Sequence, residues 1–536
     1  MTMWVIFLLL ALVIGLILAL LFVFMKYVRD YWHFLGVPNE KPRPMVEVVK
    51  TISKYGTTTQ VQDQMEYFKK LYKKFKGSGP FCGFYYLFEP RVMVLSPELV
   101  QQILVKNFSN FNDRGHYHNR KTDPLSADLF SISGDHWKEM RLKLEPVFQK
   151  AHMHHFFESI REECEKTFLF FELQRQEYQK ISPQSDVALD VKPIMHRYVL
   201  ANIAKCVFGL NKAMQVKYPL EEFDAMTQYA LYTHRHGNFL TSIMDRYPRF
   251  FRSLNYSTTN EKVHAYFTAL LNDVIAHRNK VEAYTDDYLQ LLINLMNQEY
   301  NTHETEVHNE GIGLMEHLFN ELASHAFTFL RAGLEPTEQT LTYILYELAR
   351  DPVMQQRVRE EVNKVYEEDG ETFTYEGIQS LKFMGQFISE TIRLHPVVPY
   401  IMRRTLNDYL VQTNSNFLIR KDIKIVIPIH AMHNDPEIYP QPHIFNPDRF
   451  APSNNRLREN CVWLGFGEGP RNCLGLHYAQ LQMRCLVAML LMRYEFSLDT
   501  QNVVVCCLEG VAIKIRPLHE RSEYVETEGR ESAVVI

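Results

Sequence analysis

The loop GFGEGPRNCLG, residues 465–475, surrounds a single cysteine, Cys473, with four glycines, a proline and an arginine. Glycine lets a backbone turn tightly and bring its N–H groups close to a bound atom. A helical pattern follows Cys473, so we expect its thiol near the positive end of a helix dipole, a setting that stabilises a thiolate. The loop therefore predicts a sulfur ligand that is supported mainly by backbone.

The other cysteines do not suggest a second ligand for a metal at this loop. The chain has eight cysteines, with no CxxC pair and no regular framework, which excludes a disulfide scaffold in a reducing compartment. A zinc site would need further Cys or His at short spacing, and the loop has none. A metal that already holds most of its ligands is favoured, and haem iron, with four porphyrin nitrogens, requires one such protein ligand.

The N-terminal segment predicts a membrane anchor. Residues 3–25 carry no charged side chain and would span roughly 35 Å as a helix, enough to cross a bilayer. The segment is too long for the apolar region of a secretory signal, and no A-x-A-like cleavage site follows it. A core helix that is apolar on every face over this length would be unusual. The nearest basic side chains, Lys26, Arg29, Lys41 and Arg43, all follow the segment, which predicts a cytosolic body.

Behind this anchor the chain predicts one large domain. Residues 26–44 are basic and contain Pro38, Pro42 and Pro44, which predicts a stiff hinge. Residues 45–518 contain no Gly/Ser linker and no internal repeat, and the tail 519–536 has no apolar period and is predicted to be flexible. The net charge of −5, without a long block of like charges, argues against nucleic acid as a partner.

The domain is predicted to be mostly α-helical with small β-sheets. Short pieces rich in β-branched or aromatic residues, such as 85–96 and KIVIPI at 424–429, are typical of strands. The longest helical pattern runs from Gly311 to Arg350, a length that would cross the whole domain. Its apolar positions are Leu314, Leu318, Leu322 and Ala326, and then Leu341, Leu345 and Leu348.

The loop residues Phe466, Gly467, Arg471, Cys473 and Gly475 match F-G-x-G-x-R-x-C-x-G, which resembles the haem-binding signature of cytochrome P450 monooxygenases. The resemblance implies the cytochrome P450 fold, a single haem domain, haem b as cofactor and the Cys473 thiolate as axial iron ligand. Stretches around residues 111–148 and 469–476 look most like the insect microsomal, xenobiotic-metabolising branch.

Further motifs follow in the order that this family shows. ETIRLHP places Glu390 and Arg393 three residues apart on one helix face, and Arg449 in FNPDRF resembles the third member of a structural Glu-Arg-Arg network. WKEMR contains Trp137 and Arg141, which resemble the pair that donates to a haem propionate. Arg403 and Arg471 match positions with the same duty, and Arg114 is a further candidate.

The resemblance also implies the reaction and its partners. Two electrons from NADPH would arrive through NADPH–cytochrome P450 reductase, with cytochrome b5 as a further candidate partner, and dioxygen would oxidise a lipophilic xenobiotic, hormone or fatty-acid-like compound. Lys138, Lys143 and Lys150 are candidate reductase contacts. With the anchor, the resemblance implies a single-pass protein of the endoplasmic reticulum (microsomal) membrane whose catalytic domain faces the cytosol.

One motif departs from the family. Where its members usually read A/G-G-x-D/E-T, this chain reads AGLEPT, which keeps the acid Glu335 but places Pro336 at the hydroxyl position, before Thr337. Proline offers no side-chain donor and no N–H, and inside a helix it should displace the carbonyl of Ala332. Glu335 with an ordered water, or Thr337, would then relay protons. Four alternatives stay open: normal turnover in which water suffices, poorly coupled oxygen activation, a redox-neutral isomerase or dehydratase acting on a hydroperoxide, and a low-turnover haem-binding protein.

The substrate pocket is expected in segments that the resemblance suggests: residues 110–130, 210–255, 397–402 and 503–511, together with Ala332. Apolar and aromatic residues in these segments suit lipophilic ligands. Arg331 is a second departure, because an apolar residue is usual just before the Ala-Gly pair. The sequence suggests no partner for its charge.

Overall fold

The computed structural model describes residues 2–42, 58–86, 89–150, 153–181, 188–232, 237–281, 287–304, 311–411, 417–457, 461–498 and 511–518. Helices dominate these ranges, as the sequence predicts. The helices are α1 (Thr2–Phe34), α2 (Thr58–Phe75), α3 (Pro97–Gln101), α4 (Gly134–Leu144), α5 (Met153–Ile181), α6 (Lys192–Cys206), α7 (Lys212–Gln215), α8 (Leu220–Tyr232), α9 (Gly237–Arg246), α10 (Pro248–Ser253), α11 (Glu261–Val281), α12 (Tyr288–Glu304), α13 (Gly311–Arg350), α14 (Pro352–Glu368), α15 (Tyr375–Ser380), α16 (Lys382–Leu394), α17 (Ile429–His433) and α18 (Leu476–Arg493).

The 40-residue helix α13 organises the larger core. It begins and ends at the residues that the sequence predicts, Gly311 and Arg350, and continues as helix on both sides of Pro336. Its apolar stripe from Leu318 to Leu348 is buried against α6, α12 and α18, because residues four apart fall on one face. The side chain of Leu314 lies outside the described residues. This packing fixes α13 across the domain.

The described strands form small sheets. They are β1 (Phe81–Tyr86), β2 (Glu89–Val94), β3 (Ala188–Asp190), β4 (Ile401–Arg404), β5 (Tyr409–Val411), β6 (Phe417–Ile419), β7 (Lys424–Ile427), β8 (Tyr494–Leu498) and β9 (Ala512–Pro517). Their orders are β1-β2-β7-β4, β3-β9-β8 and β5-β6. β2 and β7 run parallel with Val92 opposite Ile425, and the other pairs are antiparallel. The predicted extended pieces supply β2 and β7, whose buried faces form a second core.

Helix α1 is longer than the predicted apolar segment. It continues to Phe34, nine residues into the range predicted as a hinge, because its last turns pack on the first sheet. Trp32 is fully buried, and its indole Nε1 donates to the carbonyl of Phe84 at 3.2 Å. Among the described residues, no helix combines the length and the apolar character needed to cross a membrane.

Several predicted units fall wholly or partly outside the described residues. The tail 519–536 and the end of the hinge at 43–44 lie outside them. The same holds for residues 45–57 of the domain and for most of the pocket segment 503–511.

Candidate active site

The cysteine loop is shaped by backbone hydrogen bonds and two glycines in left-handed conformation. The N–H of Cys473 donates to the carbonyl of Phe466 at 2.8 Å, and that of Asn472 donates to Gly469 at 3.0 Å. Gly467 and Gly469 have φ of 73° and 72°, which side chains with a Cβ rarely adopt. A Cβ at Gly469 would also overlap the backbone carbonyl of Leu104. Gly467 and Gly469 are therefore required by the turn, and Gly469 also by close backbone approach.

The thiol of Cys473 lies where helix α18 begins. Gly475 is the residue that precedes the helix, and its N–H faces the sulfur. Burial raises the pKa of the Cys473 thiol, while this N–H and the charges of Arg141 and Arg114 lower it, and the net direction is upward. The groups predicted to stabilise a thiolate are therefore present, but burial raises the pKa by more than these groups lower it. A bound cation would supply the missing stabilisation, because a thiol that coordinates a metal is deprotonated.

Accessibility distinguishes Cys473 from the other described cysteines. Cys82, Cys164, Cys206, Cys461 and Cys485 are buried, whereas Cys473 is exposed to solvent. Its thiol is accessible and yet desolvated, as expected for a side chain that lines a concave surface. The sulfur is thus open to a ligand from one side.

Two arginines connect the cysteine loop to α4 and to the segment that precedes α4. Arg141 donates to the carbonyl and the side-chain oxygen of Asn472 at 3.0 and 2.8 Å. Arg471 donates to backbone carbonyls in the segment 129–132 and stacks on the ring of Trp137 at 4.3 Å. The structure thus brings the predicted residues Trp137, Arg141 and Arg471 to one side of the Cys473 loop.

In the part of the chain that the structure describes, four arginines gather here without a carboxylate in direct contact. Within the described residues, Arg114, Arg141, Arg403 and Arg471 form no ion pair, and the Nε atoms of Arg141, Arg403 and Arg471 are buried without a hydrogen-bond partner. Burial, followed by the charges of Arg114 and Arg403, lowers the pKa of Arg471 to about 8. Burial and Arg114 likewise lower the pKa of Arg403.

This cluster fits the cofactor that the loop predicts. Buried cations at close range repel one another and need an anion to neutralise them. The two propionates of haem would supply two carboxylates, which match the planar donors of guanidinium groups. The accessible sulfur of Cys473 beside unpaired arginine donors is therefore the donor set that a haem with an axial thiolate requires.

The predicted Glu-Arg-Arg network is also assembled. Glu390 and Arg393 are fully buried on α16 and meet through two hydrogen bonds of 2.7 and 2.9 Å. Arg449 Nε lies 3.3 Å from Glu390 Oε1. Sequence reasoning missed the link to the cysteine loop: Arg393 donates to the carbonyl of His433, whose Nε2 accepts the N–H of Leu464 at 3.0 Å. No spacing in the sequence indicates this histidine, since the link runs through a backbone carbonyl.

His433 is held in the form that accepts this hydrogen bond. It is fully buried, and burial together with the charge of Arg393 lowers its pKa to about 3. The imidazole is therefore neutral at physiological pH. The network thus supports the start of the loop through a neutral acceptor rather than through a further ion pair.

On α13, three residues of the motif AGLEPT, which departs from the family pattern, have different surroundings. Glu335 is half-buried and accepts from Gln339 Nε2 at 3.0 Å; burial, and then the charge of Glu338, raise the pKa of its carboxyl group. The carbonyl of Pro336 accepts the Thr340 hydroxyl at 2.7 Å. Thr337 is buried. The acid is therefore suited to hold a proton, while the proline position supplies an acceptor only.

A neighbouring histidine on α6 was not indicated by the sequence. His196 Nδ1 lies 2.7 Å from Glu338 Oε2, and its Nε2 lies 3.0 Å from Asp224 Oδ1. Burial lowers its pKa, but the hydrogen bonds and charges of both carboxylates outweigh burial and raise the pKa to about 9. His196 is therefore protonated at neutral pH and links α13 to α6 and α8.

Arg331 finds a partial partner. Its Nη1 lies 3.7 Å from Asp128 Oδ2, longer than a hydrogen bond, and its side chain is 48% exposed.

Arg331 also lines a cavity of about 190 Å³, whose other lining residues lie within 116–131 and 230–263 and at Phe327. Much of this lining belongs to the predicted pocket segments 110–130 and 210–255. Phe130 connects cavity and cysteine loop, because its ring lines the cavity and its carbonyl accepts from Arg114 and Arg471.

A mostly helical fold with an accessible thiolate ligand at a helix start and a cluster of unpaired arginines defines a haem-thiolate protein. The sequence pattern of the family "Cytochrome P450" matches residues 42–519. The chain is 44% identical to "Probable cytochrome P450 317a1" of Drosophila melanogaster, over 96% of this chain and 98% of that protein. It is 34% identical to "Cytochrome P450 6a2" of the same fly over 91% and 92%, and 32% identical to "Cytochrome P450 6A1" of Musca domestica over 94% and 94%. The chain therefore belongs to the cytochrome P450 family of haem-thiolate monooxygenases and is similar to insect members, as its motifs predict.

Proposed function

We propose that this protein is a membrane-anchored monooxygenase that oxidises lipophilic small molecules with dioxygen and electrons from NADPH, delivered by NADPH–cytochrome P450 reductase. The proposal rests mainly on the accessible Cys473 sulfur, which lies beside four arginines that form no ion pair among the described residues. Family membership alone gives the type of cofactor and reaction. The residues of this chain indicate where each would be held.

The haem would be held by groups of known position. Cys473 would coordinate the iron, and Arg141, Arg403 and Arg471 would donate to the propionates beside Trp137. Phe466, Gly467 and Gly475 would keep the loop close to the ring, since they shape its backbone. When bound, haem with a thiolate ligand supplies the activation of dioxygen.

The chain itself would supply protons on the side of α13. Glu335 is the candidate donor, because burial and the charge of Glu338 raise the pKa of its carboxyl group and so favour the protonated form. Pro336 cannot relay this proton, because it has neither a hydroxyl nor an N–H. An ordered water or the buried Thr337 hydroxyl would complete the relay.

The N-terminal region supports anchoring in the endoplasmic reticulum membrane with the domain in the cytosol. Large apolar side chains on α1, including Trp4, Phe7 and Leu12, are between 67% and 75% exposed, which in water would be unfavourable. Lys138 and Lys150 are exposed and available to an acidic reductase surface, whereas Lys143 pairs with Glu139 at 3.0 Å. Cytochrome b5, also a membrane protein, is a further candidate partner.

Pro336 favours a second candidate function. A haem-thiolate enzyme that rearranges or dehydrates a hydroperoxide needs no electrons and no proton relay to dioxygen, so it would tolerate proline at this position. NADPH consumption separates the two: a monooxygenase forms product only with reductase and NADPH. An isomerase turns over a hydroperoxide without them, and a low-turnover haem-binding protein does neither.

The proposal is tested by the carbon monoxide difference spectrum of the reduced full-length protein, followed by product analysis with reductase. We expect the absorption band of thiolate-ligated haem, its loss in Cys473→Ser, and its retention in Cys82→Ala, a control at a buried cysteine in β1. Haem binding that survives with an unchanged band in Cys473→Ser would refute the ligand. Product formation that does not depend on NADPH would favour the second candidate.

A further inference from the structure

The cavity beside α13 has a mixed lining that favours an amphipathic ligand. One wall is apolar and is formed by Phe130, Leu231, Met244 and Phe327. Threonine, asparagine, aspartate, histidine and arginine side chains face the same space. A ligand that fills it would place a chain on the apolar wall and a polar group among the others.

The acidic group of this lining is already engaged. Asp245 accepts the N–H of Tyr117 at 2.8 Å, lies 3.4 Å from Lys424 Nζ and faces His116 at 3.8 Å. Lys424 is buried, so this pair neutralises Asp245 within the protein. Asp245 is therefore not free to neutralise a second cation in the cavity.

Arg331 is the cation that stays incompletely neutralised. Its contact with Asp128 is a long one at 3.7 Å, and no hydrogen bond to its guanidinium group occurs among the described residues. Asp128 is itself buried, accepts the N–H of Ser131 at 2.7 Å and also faces the charge of Arg114. The carboxylate nearest to Arg331 thus also interacts electrostatically with Arg114, and the Arg331 side chain, which lines the cavity, is 48% exposed.

We propose that Arg331 binds the carboxylate of an amphipathic substrate, so that this cavity selects lipophilic carboxylic acids. The proposal rests on the proposed function, of which it names the substrate class. The planar donors of a guanidinium group match a carboxylate in a bidentate pair, and the apolar wall accepts the hydrocarbon chain. Arg331 directly precedes Ala332 and Gly333, so the acid is held next to the helical segment on which the oxygen chemistry is expected.

The test compares octanoate with octanamide, which has nearly the same shape but no charge. Binding to the full-length protein is measured by calorimetry, and in parallel by the change in haem absorption. We expect octanoate to bind about tenfold more tightly than octanamide at low salt, with the difference shrinking as salt is raised. Arg331→Gln should remove this preference by weakening octanoate alone, and Arg331→Lys should keep part of it.

A matched control is Arg357→Gln on α14, because this side chain is 46% exposed and pairs with Asp448 away from the cavity. It should keep the full preference for octanoate. Equal binding of the two probes to the unmodified protein, or an unchanged preference in Arg331→Gln, would overturn the proposal. Calorimetry does not require a thiolate ligand. Loss of the carbon monoxide band would therefore count against the proposed function while the charge preference is still measured.

Discussion

At the scale of single residues, Pro336 changes what α13 can offer to bound dioxygen. The helix continues through it, and its carbonyl already accepts the Thr340 hydroxyl. Replacing Pro336 with Thr restores a hydroxyl and an N–H, so the product formed per NADPH consumed should rise by roughly twofold to tenfold. The measurement compares product with NADPH oxidation and peroxide release.

Pro336→Ala is the matched control for this change. It restores the N–H and the helix geometry without the hydroxyl, and we expect it to leave the ratio near that of the unmodified protein. A gain in Pro336→Ala equal to that in Pro336→Thr would assign the effect to the helix backbone. An unchanged ratio in both variants would show that Glu335 and water suffice.

His196 predicts a pH dependence of stability. Because Glu338 and Asp224 raise its pKa to about 9 from an ordinary value near 6.5, the charged form stabilises the folded state. This contribution is fully present below about pH 6.5 and is lost as the pH rises through about 9. His196→Gln should reduce the free energy of unfolding by roughly 1 to 3 kcal/mol at pH 6.5 and by much less at pH 9.5.

The control for His196 is His118, a partly buried histidine that contacts Arg252. Burial, and then the charge of Arg252, lower the pKa of His118 to about 4. His118→Gln should change the slope of stability only slightly between pH 6.5 and 9.5, because folded His118 is neutral over that range and the unfolded histidine loses its remaining proton just above pH 6.5. Urea unfolding at several pH values provides the measurement. Parallel curves for the unmodified protein and His196→Gln would contradict the prediction.

The site residues show which contacts a sequence can indicate. Cys473, Arg471, Glu390 and Arg393 are found from it because they stand at fixed spacing in short motifs. His433 and His196 are not, since their partners lie far away along the chain and Arg393 reaches His433 through the backbone carbonyl of that histidine. Asp128, the partner of Arg331, is likewise not indicated by the sequence, because it lies far away along the chain.

At the scale of elements, the cysteine loop depends on the close approach of its backbone to the short helical turn Gln102–Lys106, which directly follows α3. Gly469 has φ of 72°, and a Cβ there would overlap the carbonyl of Leu104. Gly469→Ala should therefore cost roughly 2 to 4 kcal/mol, from backbone strain and from overlap, and should lower the haem content. Thermal unfolding and the haem-to-protein absorbance ratio measure the two effects.

A substitution at Gly370 distinguishes the cost of backbone strain from the cost of steric overlap. Its φ of 77° is similar, and a Cβ there would meet nothing within 4 Å. Gly370→Ala should cost only about 1 kcal/mol and leave the haem content unchanged. Equal losses of stability and of haem content in Gly469→Ala and Gly370→Ala would mean that overlap with Leu104 does not contribute to the effect.

The elements themselves were predictable to different degrees. Helix α13 was found with both ends because its period of apolar residues is sustained for ten turns or so. The end of α1 was not, because its last turns are held by contacts with β1 that no local pattern encodes. Sheet order likewise follows from long-range pairing, as in the parallel pair of β2 and β7.

At the scale of the whole molecule, α1 has two parts with different surroundings. Its first part exposes large apolar side chains, whereas Val28 and Trp32 are buried in the core around the first sheet. Trp32 packs so closely on Gly83 that a Cβ there would overlap the indole ring. The helix therefore runs without a break from the segment proposed as a membrane anchor into the domain.

This division predicts the outcome of truncation. Deleting residues 2–25 should move the protein from a carbonate-washed membrane pellet to the supernatant, because the exposed apolar surface is removed. The carbon monoxide band and the unfolding temperature should persist, since Val28 and Trp32 stay in place. Adding Trp32→Ala to the truncated chain should cost roughly 3 to 5 kcal/mol by emptying a fully buried site. If the truncated chain still sediments with membranes, the membrane contact lies elsewhere in the protein. If the truncated chain unfolds as readily as its Trp32→Ala variant, the first part of α1 also stabilises the domain.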